Sequence, residues 1–246
     1  MNKIQLGREL QRKELEYQVQ YHLNNIIEQI KGDGITDIGR AQGKYGTPVT
    51  SIIRKGVTEA YDIGADYTDS QFNFFGVTQE EIQEENRTVE DITSAFVIKF
   101  WRKVNTLIHR NDTLLQKYDF EPRSELNSNY MATSTAIGLV TRGMAYGTVN
   151  KVKHLQQFRV TPLKKASVKS ERGERDETVD QVMWSAINDK NTCEECAELD
   201  GEFFDYDDPP IPSEICLGGD NCRCTLEVEP ATSMIIYSDE EDELEV

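Results

Sequence analysis

Cysteine is absent from the first 192 residues of this 246-residue chain, and all five cysteines fall between residues 193 and 224. Cysteines of a hydrophobic core would be scattered, whereas thiols that bind one metal ion must converge, so this distribution favours a metal site. Histidine is scarce as well, with three in the chain and none among the cysteines. A ligand set drawn from this segment therefore consists of thiols.

Two further absences bear on where the protein works. No apolar stretch is long enough to span a bilayer, and no apolar, cleavable segment stands at the N-terminus. We therefore expect a protein made inside a cell, without a membrane partner. In that setting, and with an odd number of cysteines, disulfides are disfavoured relative to metal ligation.

Catalytic motifs are missing too. The chain has no His-Glu-x-x-His, no nucleophile elbow and no Ser-His-Asp candidate. Cys196-Ala-Glu198 matches the Cys-x-Glu element of zinc deaminases, but the Pro-Cys-x-x-Cys that should follow is absent. We therefore expect a protein that is not an enzyme, with a zinc-dependent hydrolase or deaminase as the least favoured alternative.

The cysteine spacing predicts a structural zinc site. Cys193 and Cys196 share one tight turn, and Cys216 supplies a third thiol from beyond a proline-rich stretch. The fourth ligand is Cys222 or Cys224, whose side chains share a face if the chain is extended there. We favour Cys222 because it closes the shorter loop from Cys216. Four thiolates leave no coordination position for water, which is typical of a structural metal site and not of a catalytic one. An iron centre like that of rubredoxin would use the same ligands.

The motifs around the cysteines occur in a specific order, listed here from first to last: Trp184, Asn188-Asp189, Thr192–Cys196, Leu199-Asp200-Gly201, Pro210-Ile-Pro212 and Cys222-Arg-Cys224. This order resembles the phage Mu F-like family of minor head, or head-morphogenesis, proteins. Family members usually carry a His two residues before the closing Cys-Arg-Cys. Here Cys216 stands before a longer gap of five residues, so the resemblance implies an all-thiolate version of the site.

The resemblance also implies a function, which composition and cysteine spacing do not indicate. It implies a minor capsid protein of a tailed virus, made in the host cytoplasm and built into the virion in multiple copies. The implied partners are the portal protein, the major capsid protein or both, with a role in head assembly or genome ejection. A zinc-stabilised nucleic-acid-binding protein is the alternative.

Charge is divided along the chain. From Asp176 to Val246 there are twenty-two acidic residues against two basic ones, whereas Lys151 to Arg175 holds eight basic and two acidic residues. The basic segment is either a solvated loop or an arm that contacts packaged DNA. The net charge of −17 opposes tight binding to a duplex as the main task.

Periodicity predicts helices throughout the first 150 residues. Apolar stripes run along two of them, through Leu15, Val19, Leu23, Ile26 and Ile30, and through Ile92, Phe96, Phe100 and Val104. Helix starts are predicted at Thr47-Pro48, at Thr78 or Thr88, and near Ser124, with residues 32 to 46, which hold five glycines, read as a loop. In the last helix Tyr130, Ile137, Val140 and Met144 are expected to face inward, and Gly143 and Gly147 either permit a close neighbour or weaken the helix.

Together these patterns predict a mainly helical α+β protein. We expect an N-terminal helical domain over 1–120, a Mu F-like module with a zinc knuckle over 121–230, and an acidic tail over 231–246.

Overall fold

The computed structural model describes residues 3–72, 79–118, 128–157, 181–186, 192–205, 209–216 and 221–228. Four long helices come first: α1 (Lys3–Gly32), α2 (Ile38–Phe72), α3 (Gln79–Tyr118) and α4 (Ser128–Gln157). Short elements follow: β1 (Gln181–Ser185), α5 (Glu194–Glu198), β2 (Phe203–Asp205), α6 (Pro212–Ile215) and β3 (Thr225–Glu227). The mainly helical prediction is confirmed, with a small antiparallel sheet at the C-terminal end.

The four long helices share one hydrophobic core. Both predicted stripes are buried in it, from Leu15 to Ile30 on α1 and from Ile92 to Val104 on α3. Helix α2 contributes Val49, Ile53 and Val57, and α4 contributes Leu139 and Val140, all with no exposed surface. The apolar residues recur every three or four positions, so each helix turns one stripe toward its neighbours. None of the described helices is long and apolar enough to cross a bilayer.

The predicted start of α2 is wrong. The helix begins at Ile38, and the Asp37 carboxylate accepts a hydrogen bond of 2.8 Å from the Arg40 amide, as an N-cap does. Pro48 lies inside the helix on an exposed face, although an interior proline removes one backbone donor and crowds the carbonyl group four residues earlier. The glycines at 39, 43 and 46 are helical as well, so most of the glycine-rich segment is not a loop.

Other helix boundaries differ in the same way. Thr88 is interior to α3, so no helix starts there, while Thr78 and Ser124 lie outside the described residues.

The burial predicted for α4 is only partly correct. Tyr130 is 45% exposed, which makes its predicted inward position wrong. Val140 and Met144, further along α4, are buried as predicted, and Ile137 is half-buried.

Glycine allows α2 and α4 to approach closely. A Cβ on Gly147 would lie 2.1 Å from the carbonyl oxygen of Tyr61, and one on Gly143 would lie 2.7 Å from the Ala60 Cβ. On the α2 side, a Cβ on Gly64 would lie 2.1 Å from the carbonyl oxygen of Met144 in α4. Backbones at this separation leave no room for a side chain, so Gly143 and Gly147 of α4 serve close packing.

Helix α4 also forms part of a second core. The sheet has the strand order β2-β1-β3, both pairs antiparallel, with Trp184 opposite Leu226. Ala145, Val149 and Val152 of α4 pack with these two residues and with buried cysteines. One helix thus borders both the bundle core and the cysteine region, and the division at residue 120 stays a prediction.

Candidate metal centre

The first two cysteines lie on a short helix. Cys193 caps α5 in an extended conformation, and Cys196, one turn later, is 1% exposed. The amide of Ala197 donates to the carbonyl oxygen of Cys193 at 3.0 Å, which closes the turn. A spacing of three residues on a helix puts both thiols on one face, as the Cys-x-x-Cys pattern predicts.

The third thiol comes from the end of α6. Pro212 begins this helix, and the amide of Cys216 donates to the Pro212 carbonyl oxygen at 3.1 Å. The sulfur of Cys216 then lies 3.4 Å from that of Cys193. The proline-rich link therefore returns the chain to the first two cysteines, as the cysteine spacing predicts.

The last two thiols approach from the strand side. Cys222 and Cys224 are buried with Arg223 half-buried between them, as expected where side chains alternate. Two groups of thiols result, Cys193 with Cys196 and Cys216, and Cys196 with Cys222 and Cys224. Within each group the sulfurs lie within 4.8 Å of one another, and Cys196 belongs to both.

The donor set is of the kind that holds a structural zinc ion, in which four sulfurs at about 2.3 Å from the ion stand about 3.8 Å apart. Here the sulfurs of Cys193 and Cys216 are 3.4 Å apart, and those within each group of three lie within 4.8 Å of one another. Burial raises the pKa of the Cys196 thiol, and the neighbouring Cys224 together with burial raises the pKa of Cys222. Buried thiols of this kind ionise only beside a cation, which is the role of a structural metal. Five thiols supply one more than a single ion needs.

Hydrogen bonds between β1 and the turn after α5 fix the backbone next to the first two cysteines. The carboxylate of Asp200 accepts a hydrogen bond of 2.8 Å from the Ala186 amide, and the amide of Gly201 donates to the Trp184 carbonyl oxygen at 2.9 Å. Gly201 has a φ of +79°, a conformation that side chains disfavour. Trp184 is fully buried and packs edge to face with Phe204. The Leu-Asp-Gly and Trp motifs thus join β1 to the turn behind α5.

Helices α1 and α4 hold the segment that contains the last two cysteines. The hydroxyl of Thr141 donates a hydrogen bond to the carbonyl oxygen of Cys222 at 2.8 Å. The guanidinium of Arg12 donates one to the carbonyl oxygen of Arg223, also at 2.8 Å. Arg8 donates to the carbonyl oxygen of Leu226 at 3.2 Å and lies over the Tyr67 ring. Arg8 and Arg12 are 7% and 1% exposed. Their burial has no signal in the sequence, because a charged residue on a polar-rich helix gives no local sign of burial.

The basic segment begins differently from the prediction. Lys151 is not part of a solvated arm: it lies within α4, its side chain is 2% exposed, and it forms ion pairs with Asp69 at 3.1 Å and Glu81 at 2.6 Å. His154, one turn later, is buried against Glu84 at 3.0 Å. Lys153 lies in α4 as well and is half-buried, whereas the other six basic residues of this segment lie within 158–180, outside the described residues.

The comparison with protein families matches this part of the chain. Residues 144–227 match the family described as phage Mu protein F like protein. The resemblance is confirmed for this segment. The matched Mu F-like segment, residues 144–227, covers the end of α4, all three strands and all five cysteines. No curated protein and no solved structure matches the chain.

Proposed function

We propose that this chain is a minor head protein of a tailed phage, made in the host cytoplasm and built into the virion. The observation that carries the proposal is the family match, which spans the cysteine centre and the helix beneath it. A role in phage head morphogenesis is what this family suggests. The proposed role is structural rather than enzymatic, and Glu198, which a deaminase would need beside its metal, is exposed on α5.

The proposed cofactor is one structural zinc ion held by four of Cys193, Cys196, Cys216, Cys222 and Cys224. The support is the donor set, five thiols in two groups that share Cys196. The sheet around it has only three short strands, and such a small unit gains much of its stability from a metal. The ion would connect α5, α6 and the approach to β3.

The proposed partners are the portal protein, the major capsid protein or both, with several copies of the chain in each particle. Contact with packaged DNA through residues 151–175 is a weaker proposal. The buried ion pairs of Lys151 remove one cation from that surface, and the chain as a whole is strongly acidic.

Locating the chain during assembly tests this function. Antibodies or mass spectrometry should find it in purified particles and in assembling heads, and cross-linking in heads should join it to the portal or major capsid protein. A control head preparation from a phage that lacks the gene should hold no signal. Absence of the chain from both heads and particles would contradict the proposal.

A further inference from the structure

An apolar stripe lies on the outer face of α1. Among the described residues, nine large hydrophobic side chains are exposed, and four of them are on this one helix: Leu6 (46%), Leu10 (61%), Tyr17 (64%) and Tyr21 (55%). At 3.6 residues per turn the four fall within an arc of about 60°. Scattered surface residues would not share a face, so the clustering itself requires an explanation.

The stripe is separate from the core-facing side of the helix. The buried residues Leu15, Val19, Leu23 and Ile30 lie roughly opposite to it around the helix. Helix α1 is therefore apolar on two faces, and within the described part of the chain the bundle covers one of them. From Leu6 to Tyr21 the outer stripe runs for about 22 Å at 1.5 Å per residue.

The charges beside the stripe are self-complementary. Lys13 and Glu14 lie halfway along it, on opposite borders, and both are exposed. Among the described residues, Lys13 makes a long pair with Glu9 at 3.5 Å, and Glu14 accepts a hydrogen bond from Gln18 at 2.9 Å, both on the same helix. Neither contact crosses the stripe, so both charges can meet a second helix.

A second copy of the chain satisfies these charges in one orientation. If two α1 helices run parallel about a twofold axis, Lys13 of each copy lies beside Glu14 of the other, leucines face leucines and tyrosines face tyrosines. An antiparallel pair would bring Lys13 beside Lys13 and Glu14 beside Glu14, which is repulsive. The charge pattern thus selects both the occupant and its direction.

We propose that the outer face of α1 is a self-association surface on which two copies of this chain pair with their α1 helices parallel. The stripe offers on the order of 500 Å² per copy, less than the roughly 800 Å² of a standard interface. The dimer is therefore weak and forms at high local concentration. This inference is independent of the proposed metal and of the proposed head role.

The first experiment measures self-association of the full-length chain by analytical ultracentrifugation. The wild type should show a concentration-dependent monomer–dimer equilibrium. The variant L10S/Y17S should raise the dimer dissociation constant at least about 100-fold, because four apolar side chains leave each dimer. The matched control I98S removes an apolar side chain that is 53% exposed on α3 and should leave the constant unchanged. Circular dichroism checks that all three proteins are equally folded.

The second experiment tests the register by exchanging charges. K13E alone and E14K alone should each raise the dissociation constant about 10-fold, because like charges then face each other twice per dimer. The double variant K13E/E14K should restore the wild-type value. A mixture of the two single variants should form the heterodimer in preference to either homodimer.

Three results would overturn the proposal. One is a wild-type protein that stays monomeric at concentrations up to about 1 mM, well above the micromolar range of ordinary weak complexes. Another is a dimer that L10S/Y17S does not weaken. The third is a dimer for which the charge exchange gives no rescue. If the protein stays monomeric while L10S/Y17S prevents incorporation into heads, the stripe binds a different head protein and not a second copy.

Discussion

The guanidinium of Arg12 donates a hydrogen bond of 2.8 Å to the carbonyl oxygen of Arg223, a residue 211 positions away that separates Cys222 from Cys224. The same side chain pairs with Glu16 at 3.0 Å through Nε and with Glu9 at 3.4 Å, and it is 2% exposed. The N-terminal helix and the candidate metal centre therefore share a buried cation. Unfolding of one should destabilise the other.

Removal of this cation should destabilise the whole described structure. Arg12→Ala removes a buried cation together with its hydrogen bonds to Glu16 and to the Arg223 carbonyl oxygen, and we expect it to cost about 3 kcal/mol of unfolding free energy. Arg54→Ala is the matched control, because Arg54 pairs with Glu90 on the surface and should cost less than about 1 kcal/mol. Urea denaturation followed by circular dichroism measures both. Equal losses for the two variants would contradict the importance of the buried contact.

The cysteine centre should contain about one zinc per chain, measured by elemental analysis of the purified protein. Cys196→Ser should reduce zinc content most, because Cys196 belongs to both groups of thiols. The loss of metal should loosen residues 181–228, and also α1 through Arg12, in hydrogen-exchange measurements. A folded preparation without metal would refute the prediction.

The choice of the fourth ligand has its own test. Cys222→Ser should lower zinc affinity more than Cys224→Ser if Cys222 is the ligand. Competition with a chromophoric chelator gives both affinities, and cobalt substitution reports the number of thiolates by absorption. A larger loss for Cys224→Ser would assign the fourth position to Cys224.

Close packing of α2 and α4 predicts opposite effects for two glycine substitutions. Gly147→Ala forces a methyl group against the Tyr61 carbonyl oxygen and should lower the unfolding free energy by about 2 kcal/mol or more. Gly43→Ala, in an exposed turn of α2 with nothing within 4 Å, should raise it by about 0.5–1 kcal/mol. Thermal unfolding distinguishes the two directions. A neutral Gly147→Ala would mean that the helices can separate without cost.

Lys151 should matter for stability and not for DNA. Lys151→Gln leaves the Asp69 and Glu81 carboxylates without their shared cation and should cost about 3 kcal/mol. A second variant, in which Lys164, Lys165 and Lys169 are changed to Gln, tests DNA binding. Its affinity for DNA is measured at several salt concentrations and compared with that of the wild type. We expect negligible DNA binding by the wild type at physiological salt. Tight binding whose salt slope falls by roughly 2.7 in the triple variant would instead identify a DNA arm.

Local patterns predicted much of this structure. The stripes on α1 and α3 could be read from the sequence because spacing along a helix decides which residues share a face, whatever lies beyond. The convergence of the cysteines was predictable for a similar reason: short spacings and a proline-rich return limit where the thiols can go. The start of α2 was predicted wrongly because proline favours the first turn of a helix and disfavours its interior, and packing of the long helix overrides that preference at Pro48.

Tertiary structure decided the positions of the charged residues. Nothing in the sequence around Arg8, Arg12 or Lys151 distinguishes them from solvated cations, because burial of a charge depends on partners far away in the chain. The same holds for Gly143 and Gly147, whose use in close packing requires α2 on the other side. The sequence by itself determined the helical character of the N-terminal part, its apolar stripes and the convergence of the thiols. Only the folded chain determined which cations connect that cluster to the bundle, since those contacts join segments up to 218 residues apart.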